Sequence, residues 1–178
     1  KLVTAAAALE QNIISPSTTI HCPGSMKIGD RTIHCWYRDG HGPMTLNEAL
    51  HQSCNVYFMT LGRALGAQRL RAAMDAMGFS HRTGWPMEEQ AGHLPQRRLT
   101  EGEVALLAMG QGEVLVTVLQ AAMMASGFAN VGVVVEPRIV ASIADRPGAR
   151  PPMVRRLPWS VETIHIVRAG MESVVRHP

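Results

Sequence analysis

The spacing of apolar residues along the chain predicts a protein built mostly of helices. An alanine-rich stretch opens the sequence, and several later apolar stretches follow a threonine. A threonine with glutamate three residues after it, as in Thr45 with Glu48 and Thr100 with Glu103, forms a capping box at a helix start. Gly78 follows an apolar stretch, where glycine commonly ends a helix. The pattern predicts helices over residues 2–11, 46–61, 67–77, 101–109, 118–129 and 161–175.

Strand signals are few and short. Residues 26–36 predict a hairpin with its turn at residues 29–30. The apolar positions of this hairpin are Ile28, Ile33 and Trp36. A second short strand is predicted over residues 137–143. One hairpin and one strand are too few for an independent sheet. Loops are predicted over residues 39–43, 84–95 and 147–158.

The composition supports a packed core of helices. Hydrophobic residues make up 46% of the chain and charged residues 17%, as in a globular domain. Only 4% are aromatic, whereas there are 11 methionines, so small and flexible side chains fill the core. The net charge of +3 is scattered, which argues against nucleic-acid binding. No apolar run reaches the ~18 residues of a membrane span, so we expect any membrane anchor outside this sequence.

The first candidate for chemistry is the triplet Ser53-Cys54-Asn55. A serine and an asparagine two residues apart can face one cleft, where the hydroxyl relays a proton and the amide binds a substrate amide. Alone, such a triplet is more often just a polar turn of a helix. Lys1 is the second candidate, because penicillin-recognising enzymes use S-x-x-K, S-x-N and K-T-G as a set.

Several further segments stand in a particular order and spacing along the chain. They are His21-Cys-Pro-Gly24, Cys35-Trp36, Gly40-His-Gly42, Leu46-Asn-Glu-Ala-Leu50, Ser53-Cys-Asn-Val-Tyr-Phe58 and Gly110-Gln-Gly-Glu-Val-Leu-Val-Thr117. Together they resemble class B penicillin-binding proteins, most of all the elongation-type, rod-shape members. The resemblance covers nearly the whole chain. Each segment is only moderately specific, so the resemblance depends on their order.

The resemblance implies the α+β fold of penicillin-binding proteins and serine β-lactamases. Residues 1–178 would then be a single partial transpeptidase domain. It would be mostly a helical lobe with a small β-hairpin, with most of the central sheet missing. The family's nucleophilic serine would lie three residues before Lys1, and its K-T-G strand beyond Pro178. We therefore expect the isolated chain to be inactive.

The resemblance also implies part of a peptidoglycan D,D-transpeptidase, which cross-links stem peptides through a serine acyl-enzyme. Lys1 would take the proton of the nucleophile, Ser53 would pass a proton to the leaving amine, and Asn55 would hold the substrate amide. No cofactor is required for this chemistry. Stem peptides and β-lactams are the implied ligands, with a glycosyltransferase and cell-elongation proteins as partners of the parent protein. The implied location is the extracytoplasmic (periplasmic) face of the bacterial inner membrane.

Three cysteines and one histidine suggest a metal site, formed by Cys22, Cys35, His41 and Cys54. Three thiolates and one imidazole are a common tetrahedral set for zinc. The resemblance favours this interpretation, since a metal is thought to occupy this place in some elongation-type members. A structural zinc ion would clip the hairpin and loop onto the helix of the triplet. The alternatives are a disulfide between Cys22 and Cys35, which an oxidising compartment favours, and free thiols.

Two other functions stay open at this point. A serine β-lactamase or β-lactam sensor uses the same three motifs, although the segments at Cys35-Trp36 and at residues 110–112 argue against it. Turnover of a chromogenic β-lactam would favour that alternative. A non-catalytic helical interaction module would gain support if no serine preceded Lys1 by three residues.

Overall fold

The computed structural model describes residues 1–140, 142–143, 146–147 and 153–176. Within these ranges the helices are α1 (Leu2–Glu10), α2 (Leu46–His51), α3 (Asn55–Met77), α4 (Glu101–Ala108), α5 (Val118–Ala129) and α6 (Val161–Arg176). The strands are β1 (Ile20–Cys22), β2 (Ser25–Ile28), β3 (Arg31–His34), β4 (Gly42–Met44), β5 (Val133–Val135), β6 (Ser142–Ile143), β7 (Arg146–Pro147) and β8 (Val154–Arg156). They form antiparallel pairs: β1 with β4, β2 with β3, β5 with β8 and β6 with β7.

Three predicted helix starts are confirmed at threonines. Thr100 caps α4: its Oγ1 accepts a hydrogen bond from the backbone N–H of Glu103 at 3.3 Å. The Glu103 carboxylate accepts one from the Thr100 N–H at 2.8 Å. Thr45 and Thr117 form the same reciprocal box at α2 and α5. These boxes satisfy N–H groups that a helix leaves free, so local sequence is enough to place these boundaries.

The predicted helix over residues 46–61 is wrong in one respect, because the chain breaks it in two. α2 ends at His51, and Ser53 has a φ of 52°, in the left-handed region. α3 begins directly after Cys54, whose Sγ accepts a hydrogen bond from the N–H of Tyr57. A left-handed residue does not continue a right-handed helix, so the chain turns at the triplet.

The predicted gap between residues 61 and 67 is a kink and not a loop. α3 passes through it, with non-helical backbone at Gly66, where φ is 75° and ψ is 166°. Glycine has no Cβ to clash in this conformation, which allows the axis to bend there. Gly78 ends the helix in the left-handed conformation, as predicted.

The predicted strand over residues 137–143 is largely wrong. β5 lies before this range and pairs with β8, with Val133 opposite Arg156. Within the range only β6 is a strand, and residue 141 lies outside the described residues. Pro137 has no N–H to donate to a neighbouring strand. The partner of β5 is distant along the chain, so local alternation could not reveal the pair.

Of the remaining predictions, the hairpin is confirmed, whereas two predicted loops contain strands. The hairpin over residues 26–36 is confirmed as β2 and β3, which face each other across the turn at residues 29–30. The predicted loop over residues 39–43 contains the start of β4. The predicted loop over residues 147–158 contains β8, while residues 148–152 lie outside the described residues.

The core is centred on α1. This helix is buried from Val3 to Leu9 and packs against α3 and α6. α4 packs against α3, and Tyr57 and Phe58 of α3 are fully buried. The packing places the start of α1 beside the start of α3, where the predicted catalytic residues lie. In the part of the chain that the structure describes, no helix combines the length and apolar character needed to cross a membrane.

Candidate active site and cysteine–histidine cluster

The side chain of Lys1 contacts both polar residues of the triplet. Its Nζ donates to the carbonyl oxygen of Ser53 at 2.7 Å, to Ser53 Oγ at 2.7 Å and to Asn55 Oδ1 at 2.8 Å. A lysine ammonium has three donors, and these three acceptors match them. The structure therefore brings the three predicted catalytic residues together.

The break between α2 and α3 lets Ser53 present two acceptors to Lys1. The carbonyl of the preceding residue, Gln52, accepts a hydrogen bond from the indole Nε1 of Trp36 at 2.8 Å. Trp36 was predicted as an apolar position of the hairpin, but it is 62% exposed. An indole N–H usually finds a partner, and the free carbonyl of this turn provides one. Trp36 therefore supports the Ser53 turn from the surface.

The amine of Lys1 lies in partly apolar surroundings. Burial lowers the pKa of this amine, and the nearby Cys35 and Cys54 thiols oppose the shift without cancelling it. The ring centroid of Phe58 lies 5.7 Å from Nζ. A lowered pKa makes the neutral amine more accessible near neutral pH than in an ordinary lysine, and only the neutral amine can accept a proton.

The four predicted metal ligands also converge, next to this lysine. One ligand atom from each of Cys22, Cys35, His41 and Cys54 lies within 4.8 Å of the others. Nδ1 of His41 is 3.5 Å from the sulfur of Cys22 and 3.6 Å from that of Cys35. The three thiols are buried and free in the structure, without the Cys22–Cys35 disulfide that was the alternative to a metal. The cluster joins β1, the end of β3, the following loop and the start of α3.

Two glycines allow the loops of this cluster to cross at backbone contact. A Cβ on Gly40 would lie 2.4 Å from the carbonyl oxygen of Cys22. A Cβ on Gly24 would lie 2.0 Å from the carbonyl oxygen of Arg38. No other residue fits at such distances, so the glycines bring Cys22 and His41 together. These glycines belong to the segments His21-Cys-Pro-Gly24 and Gly40-His-Gly42, on which the resemblance depends.

The pKa values of the ionisable groups in the cluster are shifted in different directions. Burial raises the pKa of the Cys54 thiol to about 12. For Cys35 burial acts in the same direction, but hydrogen bonds from the backbone of Asn55, Val56 and Tyr37 outweigh it and lower the pKa. Burial, and then the positive charge of Lys1, lower the pKa of His41. Neutral imidazole is the form that binds metals.

The residues of the cluster fit a zinc ion. Tetrahedral zinc, with Zn–S of about 2.3 Å and Zn–N of about 2.0 Å, places a ligating sulfur and nitrogen roughly 3.5 Å apart. The two sulfur–nitrogen distances at His41 are 3.5 and 3.6 Å. Among the described residues, His41 Nε2 is buried without a hydrogen-bond partner, so the thiols are the polar groups that orient the ring.

A separate cavity lies away from the Lys1 site and from the cysteine–histidine cluster. It measures about 690 Å³ and is found where the end of α3 faces α5 and the β5–β8 pair. Met77, Gln120 and Arg155 are among its lining residues, and none of the predicted catalytic residues lines it. The chemistry-bearing groups are therefore found at the Lys1 contact and not in this cavity.

Residues 1–178 match the family model of the penicillin-binding protein transpeptidase domain. The chain belongs to this family. Stage V sporulation protein D of Bacillus subtilis is 32% identical, over 98% of this chain and 28% of its own length. PbpB of Mycobacterium tuberculosis is also 32% identical, over 99% of this chain and 26% of its own length. The peptidoglycan D,D-transpeptidase MrdA of Escherichia coli is 26% identical, over 100% of this chain and 31% of its own length. This transpeptidase chain thus spans about a third or less of these relatives.

Solved structures confirm the predicted fold class. Pseudomonas aeruginosa PBP2, solved in complex with WCK 5153, superposes with a TM-score of 0.87 at 28% identity, over 98% of this chain and 43% of that one. A chain from a peptidoglycan synthase complex superposes with a TM-score of 0.89 at 29% identity, over 99% of this chain and 31% of that one. Two of these relatives are named a penicillin-binding protein and a peptidoglycan D,D-transpeptidase, so the β-lactamase and interaction-module alternatives gain no support from them.

Proposed function

We propose that the chain is the helical part of a serine D,D-transpeptidase that cross-links peptidoglycan stem peptides. The observation that carries the proposal is the contact of the Lys1 amine with both Ser53 and Asn55, at 2.7 and 2.8 Å. These are the lysine of S-x-x-K and the two polar residues of S-x-N. Escherichia coli MrdA, similar along the whole of this chain, is named a peptidoglycan D,D-transpeptidase.

The proposed nucleophile is a serine three residues before Lys1, one helical turn away on the same face. Its oxygen attacks the carbonyl carbon between the two terminal D-alanines, and the peptide C–N bond breaks. Lys1 takes the serine proton. The proton then passes through the Ser53 hydroxyl to the departing D-alanine amine. A second stem peptide attacks the resulting ester with its own amine, and the serine recovers a proton through the same groups.

The environment of Lys1 suits the role of a base. In the resting structure the amine donates to three acceptors, which is the protonated arrangement. Burial lowers the pKa of the amine, so losing one proton costs less than in an exposed lysine. The hydroxyl of Ser53 then lies within hydrogen-bond reach of the neutral amine, which a relay requires. Asn55 keeps its amide for the substrate.

The ligands, partners and location follow the same proposal. Terminal D-alanyl-D-alanine stem peptides and the β-lactams that mimic them would bind beside Asn55. A glycosyltransferase and an elongation protein would be the partners, since similar chains occur in a peptidoglycan synthase complex and in a Helicobacter pylori PBP2–MreC complex. The reaction would take place on the extracytoplasmic face of the inner membrane, where its substrate is located.

Acylation by labelled penicillin tests the proposal. The full-length protein, meaning this chain with its flanking sequence, should form a stable adduct. Ser53→Ala should acylate about 100-fold more slowly, because a proton relay contributes on that order. Ser173→Ala is a matched control, since this half-buried side chain donates to the carbonyl oxygen of Ala169 within its own helix. Absence of any adduct would reject the transpeptidase, and rapid turnover of the adduct would favour a β-lactamase.

We also infer that Cys22, Cys35, His41 and Cys54 hold a structural zinc ion. The two sulfur–nitrogen distances of 3.5 and 3.6 Å support this assignment. The ion would fasten two loops to the start of α3 and supply no step of the acyl transfer. Binding would release the proton of Cys54, whose thiol has a pKa of about 12.

Elemental analysis and thiol titration together test the zinc assignment. We expect one equivalent of zinc per chain, and three reactive thiols after chelation under denaturing conditions. Cys54→Ser should lose the metal, whereas His34→Gln, which changes an exposed histidine outside the cluster, should keep it. One remaining reactive thiol without zinc would establish a disulfide within the cluster instead, and peptide mapping would show whether it joins Cys22 to Cys35. Three thiols without zinc would establish a metal-free cluster.

A further inference from the structure

Thr4 is a buried polar residue whose bond leaves its own helix. It lies on α1, three residues after Lys1, and is 0% exposed. Its Oγ1 donates to the carbonyl oxygen of Ala108 at 2.8 Å. Two other helical hydroxyls bond within their own helix: Thr60 to Val56 and Ser173 to Ala169, each at 2.9 Å. Thr4 instead joins α1 to α4.

The acceptor of this bond is a carbonyl at a helix end. Ala108 is the last residue of α4, and the last four carbonyls of a helix have no partner within it. A buried carbonyl without a hydrogen-bond partner destabilises the folded protein, and the bond from Thr4 gives the Ala108 carbonyl its partner. The bond also ties the position of α1 to the end of α4.

The same alanine contacts α3 with its methyl group. A Cβ on Gly62 of α3 would lie 2.4 Å from the Cβ of Ala108 and 3.2 Å from the carbonyl oxygen of Val104. Glycine therefore lets α3 lie directly against α4. Ala108 thus touches the helix that carries Lys1 through its carbonyl and the helix that carries Asn55 through its side chain.

The alanine stretch of α1 specifies the position of the helix weakly. Directional bonds hold its two ends: Thr4 bonds to Ala108 near Lys1, and at the far end the Glu10 carboxylate accepts from the N–H and Oγ of Ser160 at 2.8 and 2.6 Å. Residues Ala5–Ala8 are all buried, and their methyl groups present a smooth surface. Apolar burial is non-directional, so it opposes a small slide or rotation of such a helix only slightly. A hydrogen bond prefers a narrow range of distance and angle, so it fixes the position more sharply. Thr4 is one turn from Lys1, and a shift of α1 there would lengthen the bonds to Ser53 and Asn55.

We propose that Thr4 is a positioning residue, which holds Lys1 in register with Ser53 and Asn55 through its bond to Ala108. The proposal rests on the transpeptidase function proposed above. It assigns to Thr4 no contact with substrate. Its effect is on the rate of acylation in the bound complex, because the register of the base matters after the ligand has bound.

The test is penicillin acylation of the full-length protein, resolved into the rate constant at saturation and the apparent dissociation constant. Thr4→Val keeps the shape and removes the donor, and should lower the rate constant about 10- to 100-fold. The dissociation constant should change less than about threefold, since Asn55 stays in place. Thr4→Ser keeps the hydroxyl and should restore the rate to within about threefold of the original. Thr60→Val removes a hydroxyl that bonds within α3 and should leave both constants unchanged.

The variants are compared well below their unfolding temperatures, with circular dichroism as the check on folding. Should Thr4→Val not fold, Thr4→Ala removes the same donor at a position of good helix propensity, and the same fall in rate is expected. A folded Thr4 variant without hydroxyl that acylates at the original rate overturns the proposal. So does an equal loss in Thr4→Ser and Thr4→Val. If the unsubstituted protein forms no adduct, the transpeptidase function and this proposal fail together; if only the Thr4 result is absent, this proposal fails alone.

Discussion

The side-chain amine of Lys1 lies 2.7 Å from the hydroxyl oxygen of Ser53, although 52 residues separate them along the chain. Two different helices bring these groups together. Lys1 precedes the buried helix α1, and Ser53 occupies the left-handed turn before α3. Packing of α1 against α3 therefore sets the distance on which a proton relay depends.

The lowered pKa of Lys1 predicts the pH dependence of acylation. The neutral amine is the active form, so the rate of penicillin acylation should rise with pH through the pKa of Lys1. Because burial lowers this pKa from 10.5, the rise should be centred below that value. The measurement is the second-order acylation constant of the full-length protein from about pH 6 to about pH 10. A rate that stays flat, or that falls as pH increases, would contradict the role of Lys1 as base.

Asn55→Asp should move the pH profile of acylation to higher pH, because it should raise the pKa of Lys1 where burial lowers it. The substitution keeps an acceptor oxygen 2.8 Å from Nζ and gives it a negative charge. An adjacent opposite charge favours the protonated lysine and raises its pKa by about 1 to 3 units. The midpoint of the rise in acylation rate should therefore move to higher pH, while the plateau also falls because Asp lacks the amide donor that binds the substrate. Asn130→Asp adds the same charge at an exposed position away from Lys1 and should leave the profile unchanged.

The sequence was sufficient where local chemistry decides the structure. Thr45, Thr100 and Thr117 begin helices because the residue three positions later completes the capping box. Gly78 ends α3 because glycine tolerates a φ of 98°. The candidate site residues were also predicted, but through the order of motifs and not through local physics. No local pattern indicates that Lys1 and Asn55 lie within 2.8 Å.

The failures share a different physical cause. The pair of β5 and β8 depends on a partner distant in sequence, and Pro137, at the start of the predicted strand over residues 137–143, has no N–H for a neighbouring strand. Trp36 is predicted as an apolar position of the hairpin because it is large and apolar. Its exposure of 62% reflects a hydrogen bond to Gln52 that only the turn at Ser53 makes available. Tertiary contacts decided these cases against local preference.

Removal of the proposed zinc ion should loosen the loop of Trp36 and destabilise the domain. The Trp36 ring lies 5.4 Å from the His41 ring, centroid to centroid, so chelation should change tryptophan emission. Zinc at 100 times its dissociation constant stabilises by about 2.7 kcal/mol, which corresponds to roughly 5 to 10 °C in the unfolding midpoint. Trp36→Phe should abolish most of the emission change while keeping the thermal effect. An emission change that persists in Trp36→Phe would place the metal elsewhere.

A comparison of Gly40→Ala with Gly42→Ala should distinguish the effect of backbone strain on zinc binding from the effect of pushing the two crossing loops apart. Both glycines have positive φ, 82° and 72°, so alanine is strained by a similar amount at either position. Only at Gly40 would the new Cβ meet the carbonyl of Cys22, at 2.4 Å; at Gly42 it meets nothing within 4 Å. Gly40→Ala should therefore push Cys22 away from His41 and weaken zinc binding more than tenfold, about 1.4 kcal/mol. Gly42→Ala should lower the unfolding midpoint while retaining zinc. Equal zinc affinities in competition with a chelator would mean that the loop crossing does not hold the cluster together.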